Sequence, residues 1–421
     1  MTNRSTGNPA VAPAGCPITH TDYRVERPIF GHYMQLDAER EQSDFLLNDS
    51  TKDPFYMIQR FDHVLEAMQM PDVFSNDIVN ALDPFMEVRF LPNNLNPPEH
   101  TRMRKVLNRW FSPAAVRRIE QQVYQRCNEL LEELAPKGEC DLVSEFAIRF
   151  PTEMFLVTIG LPVEDGAKFT EWVEALFAGF FGGPDPTPAA NAITAYFTDA
   201  IADRQANPRD PEWDFISRML RPDLVGDWLT EDDLLLICMT LMTAGLDTTR
   251  SALGYIFQHL ARDEQLRHRL TAHPELVPKA VEEFVRLYPL VVQDGRLVMQ
   301  DIDFHGLKLK KGDVLWLGIG SANRDPRKFP NPDEFDLDRP SLSHHLGFAA
   351  GPHRCLGMHL ARHELVIAVQ EWHKRIPDYA IAAGAELRER GGQLALVSLP
   401  LRWAQDGAPW EPGRGPVAPT P

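Results

Sequence analysis

The chain has 421 residues and a formal net charge of −17, from 60 acidic against 43 basic side chains. Such a field repels nucleic acid and anionic membranes, so neither is expected as a partner. The five cysteines are odd in number, widely spaced and free of any C-x-x-C pair, which argues against a disulfide scaffold and for a reducing, cytoplasmic setting.

Residues 1–22 hold no continuous apolar stretch, so a flexible tail is expected there rather than a signal peptide or anchor helix. Residues 405–421, with five prolines, are expected to form a second tail. Between them, 23–404 shows no repeat, Gly/Ser linker or low-complexity block and reads as one large domain. Helical periodicity runs through 113–135, 152–162, 167–181, 189–206, 230–262, 274–288 and 356–375. Short alternating pieces at Phe304–Lys308, Val314–Leu317 and Leu394–Leu401 read as strands. The expected fold class is therefore mainly α with minor β. No G-x-G-x-x-G, P-loop or H-E-x-x-H occurs, which removes the commonest nucleotide and zinc-protease chemistries. His359 and His363 share a helix face, but no Glu follows His359, so they are expected to face partners or solvent rather than zinc.

Thr230 and Asp233 form a capping-box pattern that opens a helix reaching about Arg262, roughly 50 Å at 1.5 Å per residue. Its apolar run Leu234–Leu246 is too short to span a bilayer and reads as buried core. There the pattern breaks into Ala244-Gly245-Leu246-Asp247-Thr248-Thr249. A glycine and three polar groups inside a core helix cost stability and ask for a reason. A threonine bonding back to a carbonyl of its own helix is one such reason.

Further on, Phe348-Ala349-Ala350-Gly351-Pro352-His353-Arg354-Cys355-Leu356-Gly357 runs straight into a helix whose Ala361, Leu365, Ala368 and Trp372 make an apolar stripe. Cys355 thus stands just before a helix N-terminus, where free N–H groups and the macrodipole favour a thiolate by about 0.3–1 kcal/mol each. Gly351 and Gly357 let the backbone approach a flat ligand closely. Taken alone, the cysteine fits a buried structural role as well.

Together these strings resemble the cytochrome P-450 family. The cysteine loop is similar to the family's haem-binding segment F-x-x-G-x-[HR]-x-C-x-G, with Ala349 where Gly is usual. Ala244–Thr248 resembles the oxygen-activating [AG]-G-x-[DE]-T, and Glu283-Phe284-Val285-Arg286 resembles E-x-x-R, with Arg339 as its third member. Pro97–Arg104 resembles the early helix with its H-x-x-x-R pair. Asp294-Gly295-Arg296, Phe304–Leu307 and Glu371-Trp372 with Arg375–Asp378 are most similar to the bacterial camphor-hydroxylase branch, and the likeness covers roughly residues 30–402.

The resemblance implies the cytochrome P-450 fold, a single domain with haem between the central helix and the cysteine-loop helix. It implies a haem-thiolate mono-oxygenase with one haem b and O2 as co-substrate. Carried over by position, Cys355 is the ligand of the haem iron, Phe348 shields its sulfur, and His100, Arg104, Arg296 and His353 lie near the propionates. Gly357 and Ala244 are positions of close approach, Asp247 and Thr248 deliver protons, and Glu283, Arg286 and Arg339 are structural. The substrate walls fall at Val88, Phe180, Thr240, Thr243, Ala244, Val291, Val292 and Leu394. Being mostly apolar, they imply a small neutral hydrophobe such as a terpenoid or ionone-like compound. Val88 replaces the ketone-binding tyrosine of the camphor branch, which argues against camphor itself. The chain has no flavin or iron–sulfur module, so electrons are implied to come from a small acidic ferredoxin and its ferredoxin reductase. A local basic patch of Arg102, Lys105, Arg109, Arg354 and Arg362 would steer that partner. A peroxygenase or nitric-oxide reductase of the same fold is not expected to keep the Asp–Thr pair, and a non-catalytic docking relative is not expected to keep the cysteine.

Overall fold

The computed structural model describes residues 16–85, 89–180, 183–340 and 342–404, with Phe180 described by its backbone alone. Its centre is the helix Glu231–Arg262, of 32 residues. Thr230 and Asp233 cap it reciprocally: Asp233 N–H donates to Thr230 Oγ1 (3.1 Å) and Thr230 N–H to Asp233 Oδ2 (3.3 Å). Glu231, Asp232 and Asp233 in the first turn and His259 and Arg262 in the last complement the macrodipole.

This helix joins two separate apolar cores. Leu234, Ile237, Cys238, Met242 and Leu246 belong to one, Leu253, Ile256, Phe257 and Leu260 to the other. The polar stretch Asp247–Ser251 falls between them, so it interrupts neither. Helices Arg149–Ile159, Thr187–Ala206, Val277–Leu287 and Met358–Arg375 pack around the central helix.

A third core lies under a six-stranded sheet, in the order Ile18–Thr19, Phe45–Asn48, Phe55–Ile58, Val314–Leu317, Asp294–Val298 and Phe74–Ser75. Phe55–Ile58 and Val314–Leu317 are parallel neighbours and buried throughout, which is why they read as continuous apolar runs rather than alternating ones. Arg296 sits opposite Leu315 in the antiparallel pairing beside them.

Several boundaries differ from expectation. The fold engages before residue 23, since Ile18 and Thr19 pair with Leu47 and Asn48; residues 1–15 and 405–421 lie outside the described residues. Phe304–Lys308 is not one strand but a hairpin, Ile302–Phe304 against Leu307–Leu309, turning at His305 (φ 52°) and Gly306 (φ 91°). Leu394–Leu401 divides into Ala395–Leu396 and Pro400–Trp403, which join different sheets. The helix expected over 152–162 runs Arg149–Ile159 and stops at Gly160 (φ 82°), where a Cβ would fall 2.8 Å from Trp213 O. No helix among the described residues is long and apolar enough to cross a membrane.

Candidate active site

Cys355 is held by its own loop, its N–H donating to Phe348 O (2.9 Å). Inside the loop Gly351 has φ 67°, and a Cβ there would fall 2.4 Å from Met68 O, so glycine is required. Ala349 also takes a left-handed φ of 53°, a strain of order 1–2 kcal/mol that glycine would avoid. Beyond the loop the helix Met358–Arg375 starts at Gly357, where a Cβ would meet nothing within 4 Å. Cys355 is exposed, yet burial among protein atoms is the main influence on its thiol. That burial pushes the thiol up, against the Gly357 N–H and the guanidiniums of Arg104, Arg362 and Arg354, which pull it down.

On the central helix, Ala244 and Gly245 are exposed amid buried neighbours, and a Cβ on Gly245 would meet nothing within 4 Å. Thr248 is half-buried, and its Oγ1 donates to Ala244 O (2.7 Å). Thr240 and Thr243 bond back in the same way, to Leu236 O (2.8 Å) and Met239 O (3.0 Å). Asp247 has no exposed surface. Its Oδ2 accepts from Arg390 Nη2 (2.5 Å) and Gln393 Nε2 (2.7 Å), and its Oδ1 from Arg250 Nη1 (3.3 Å). Neighbouring helical residues point about 100° apart, so the acid turns to the C-terminal turn while the alcohol stays on the open side. Arg390 and Gln393 escape a motif reading; the available signal was that a buried carboxylate needs cationic partners. Burial pushes the Arg390 guanidinium down while Asp247 opposes it, and its charge also lies over the Phe177 ring at 5.2 Å.

The expected propionate ligands form a cluster. His100 is 2 % exposed and stacks on His353 at 3.9 Å. Neither ring nitrogen of His100 has a partner among the described residues. Burial lowers His100 to about 3, reinforced by His353 and Arg104. His353 is lowered by burial to about 4, although its Nε2 bonds Leu95 O (2.8 Å). Arg104 is likewise pushed down by burial, with Cys355 opposing. Arg296 is buried and holds both oxygens of Asp294 at 2.7 Å. The His100 nitrogens are left unpartnered among the described residues, and an orphaned buried nitrogen costs about 1–3 kcal/mol. A haem meets these demands: propionates would satisfy His100 and Arg104, and the glycines at 245 and 357 leave room beside its faces. The residues present fit that group.

Glu283 and Arg286 are fully buried. Arg286 Nε and Nη2 hold both oxygens of Glu283 (2.8 and 2.7 Å), and Arg339 Nε adds a bond of 2.8 Å. The remaining guanidinium hydrogens go to carbonyls of Asn323, Pro330, Asn331, Pro332 and Glu334.

The expected substrate walls divide. Ala244 and Val291 (38 % exposed) reach open space, and Thr240 and Thr243 are nearly buried. Val292 (1 %) and Leu394 (0 %) are buried and pack in the apolar core. Val88 and the side chain of Phe180 lie outside the described residues. Of the expected basic patch, Lys105, Arg109 and Arg354 are exposed, and Arg102 is exposed with its charge over Trp228 at 4.4 Å. Arg362 leaves the patch, because Glu282 neutralises it through bonds of 2.5 and 2.8 Å.

Comparison with known proteins points the same way. The profile of the Cytochrome P-450 family matches residues 186–371. The polyketide biosynthesis cytochrome P-450 PksS of Bacillus subtilis is 30% identical over 83% of this chain and 89% of its own. The mycinamicin IV hydroxylase/epoxidase of Micromonospora griseorubida is 31% identical over 74% and 75%. The crystal structure of CYP101J2 superposes with a TM-score of 0.84 at 30% identity, over 94% of this chain and all of that one.

Proposed function

The chain belongs to the cytochrome P-450 family and is an oxidoreductase of its mono-oxygenase type, and we propose that it inserts one oxygen atom of O2 into a small neutral hydrophobe, terpenoid- or ionone-like, using electrons from a ferredoxin. The observation that carries this reading is the exposed Ala244-Gly245 notch with Thr248 beside it and Asp247 behind it. Haem bound through Cys355 would supply O2 activation. Its propionates would rest on His100, Arg104, Arg296 and His353. Ala244 and Val291 supply apolar contact for substrate, and the threonines nearby spend their hydroxyls on helix carbonyls, offering no strong polar anchor. Thr248 Oγ1 holds a proton at the open face, and Asp247 Oδ2 would pass one toward it on exchanging its bonds to Arg390 and Gln393.

An acidic electron donor suits the sulfur side. A cleft of about 390 Å³ opens beside the cysteine loop, lined by Phe61, Leu65, Ala349 and Gly351 with the cations Lys328 and Arg354. Lys105 and Arg109 add positive charge on the early helix Glu99–Trp110. All five cysteines are free, which supports a cytoplasmic setting. The substrate class is tested by titrating the haem-loaded protein with neutral terpenoids, ionones and fatty acids. A spin-state shift with the neutral compounds is expected; a response to fatty acids alone would overturn the proposed class.

A further inference from the structure

Two consecutive glutamates leave the helix Val277–Leu287 in different directions. Glu283 enters the buried arginine network, whereas Glu282 turns to the cysteine loop. Glu282 Oε1 and Oε2 accept from Arg362 Nε and Nη2 at 2.5 and 2.8 Å, and Oε2 also meets His345 Nε2 at 3.0 Å. Gly347 N–H donates to His345 Nδ1 (3.1 Å), so the ring proton must sit on Nε2 and point at the carboxylate. Burial pushes the Glu282 carboxyl up, but Arg362 and His345 overcome it and hold the group at about 2.

What this clamp fixes is a cation near the sulfur. The Arg362 guanidinium lies over the Phe348 ring, its carbon 4.3 Å from the centroid, and the His345 ring flanks the same phenyl at 5.9 Å. Phe348 in turn accepts the Cys355 N–H. The cation therefore lies over the ring of the residue whose carbonyl holds the Cys355 N–H, and one carboxylate balances it.

We propose that Glu282 and His345 are positioning residues that hold Arg362 against Phe348 and offset its charge, thereby setting how strongly the Cys355 thiolate donates to the haem iron. This rests on the reading of Cys355 as the iron ligand. Removing the carboxylate leaves Arg362 uncompensated and favours the reduced iron, while removing the guanidinium leaves Glu282 uncompensated and favours the oxidised iron.

The test is spectroelectrochemical titration of the haem-loaded full chain as wild type, Glu282→Gln, Glu282→Asp, Arg362→Gln and the Glu282→Gln/Arg362→Gln double variant. Glu282→Gln is expected to raise the ferrous-to-ferric ratio at the wild-type midpoint several-fold, and Arg362→Gln to lower it. Glu282→Asp and the double variant should lie near wild type. A purely structural clamp would reduce haem content or thermal stability and leave the midpoint of the loaded fraction unmoved, which would overturn the proposal. Single variants shifting in the same direction would overturn it too. Should Glu282→Gln not fold, Arg362→Gln and Arg362→Lys decide the sign alone. The ferrous carbon monoxide spectrum of the wild type separates the two levels: without a thiolate signature there, the ligand assignment fails before the clamp is tested.

Discussion

Arg390 Nη2 lies 2.5 Å from Asp247 Oδ2, so the acid of the central helix is held by the last residue of the strand Arg388–Arg390. Thr248, next in the chain, takes no part in that clamp and bonds to its own helix. The two residues should therefore fail differently. Asp247→Asn strips the charge shared by Arg250 and Arg390, and breaking a buried pair from one side costs about 3–5 kcal/mol. A lower unfolding midpoint and slower turnover are expected, with little extra peroxide. Thr248→Ala loses one hydrogen bond, worth about 0.5–1.5 kcal/mol, and should keep haem and substrate binding while diverting electrons to hydrogen peroxide. Peroxide yields measured against electrons consumed check both; a fully coupled Thr248→Ala would refute its proton role.

His100 and His353 give a pH dependence of known sign. Their folded values, lowered to about 3 and about 4, lie below the ordinary histidine value of about 6.5. As pH falls below about 6.5 the unfolded chain takes up protons that the folded chain refuses, so stability is lost progressively toward about 4 and 3. Propionates beside the imidazoles would favour their charged forms and raise the folded values. Denaturant midpoints should thus drop more steeply between pH 7 and 5 for the haem-free than for the haem-loaded protein. Parallel profiles would place the propionates elsewhere.

Glu283→Ala leaves the buried guanidiniums of Arg286 and Arg339 without their shared carboxylate. At about 3–5 kcal/mol for such a loss, soluble yield and haem content should collapse. Normal haem loading in the variant would show that the network is dispensable.

Electron delivery should follow the exposed cations. Charge reversal at Arg109 or Arg354 is expected to slow reduction by an acidic ferredoxin, and added salt to slow the wild type, because steering is screened beyond about 10 Å at 0.1 M. The substrate-induced spectral shift should stay unchanged. Rates indifferent to both salt and reversal would move the docking face.

The central helix was legible because its capping box, apolar run and polar break are all local signals, and Glu231–Arg262 follows them closely. Cys355, Asp247 and Glu283 stood out because their neighbours in sequence form long motifs. Arg390 and Gln393 did not, since their relation to Asp247 spans 143 and 146 residues and exists only after folding. Arg362 looked like a free surface cation because Glu282, 80 residues away, is invisible beside it in sequence. Val292 and Leu394 are buried among core side chains, and the sequence does not separate apolar wall from apolar core because both use one alphabet. The hairpin at His305 was missed because a left-handed non-glycine residue carries little sequence signal.

The central claim is that Cys355 donates its sulfur to a haem iron. Its most direct test is the absorption spectrum of the dithionite-reduced, carbon monoxide-saturated wild type. The account predicts the strongly red-shifted Soret band of thiolate-ligated iron, lost in Cys355→Ser. A histidine-type Soret band in the intact wild type, or an unchanged red-shifted band in Cys355→Ser, would contradict it.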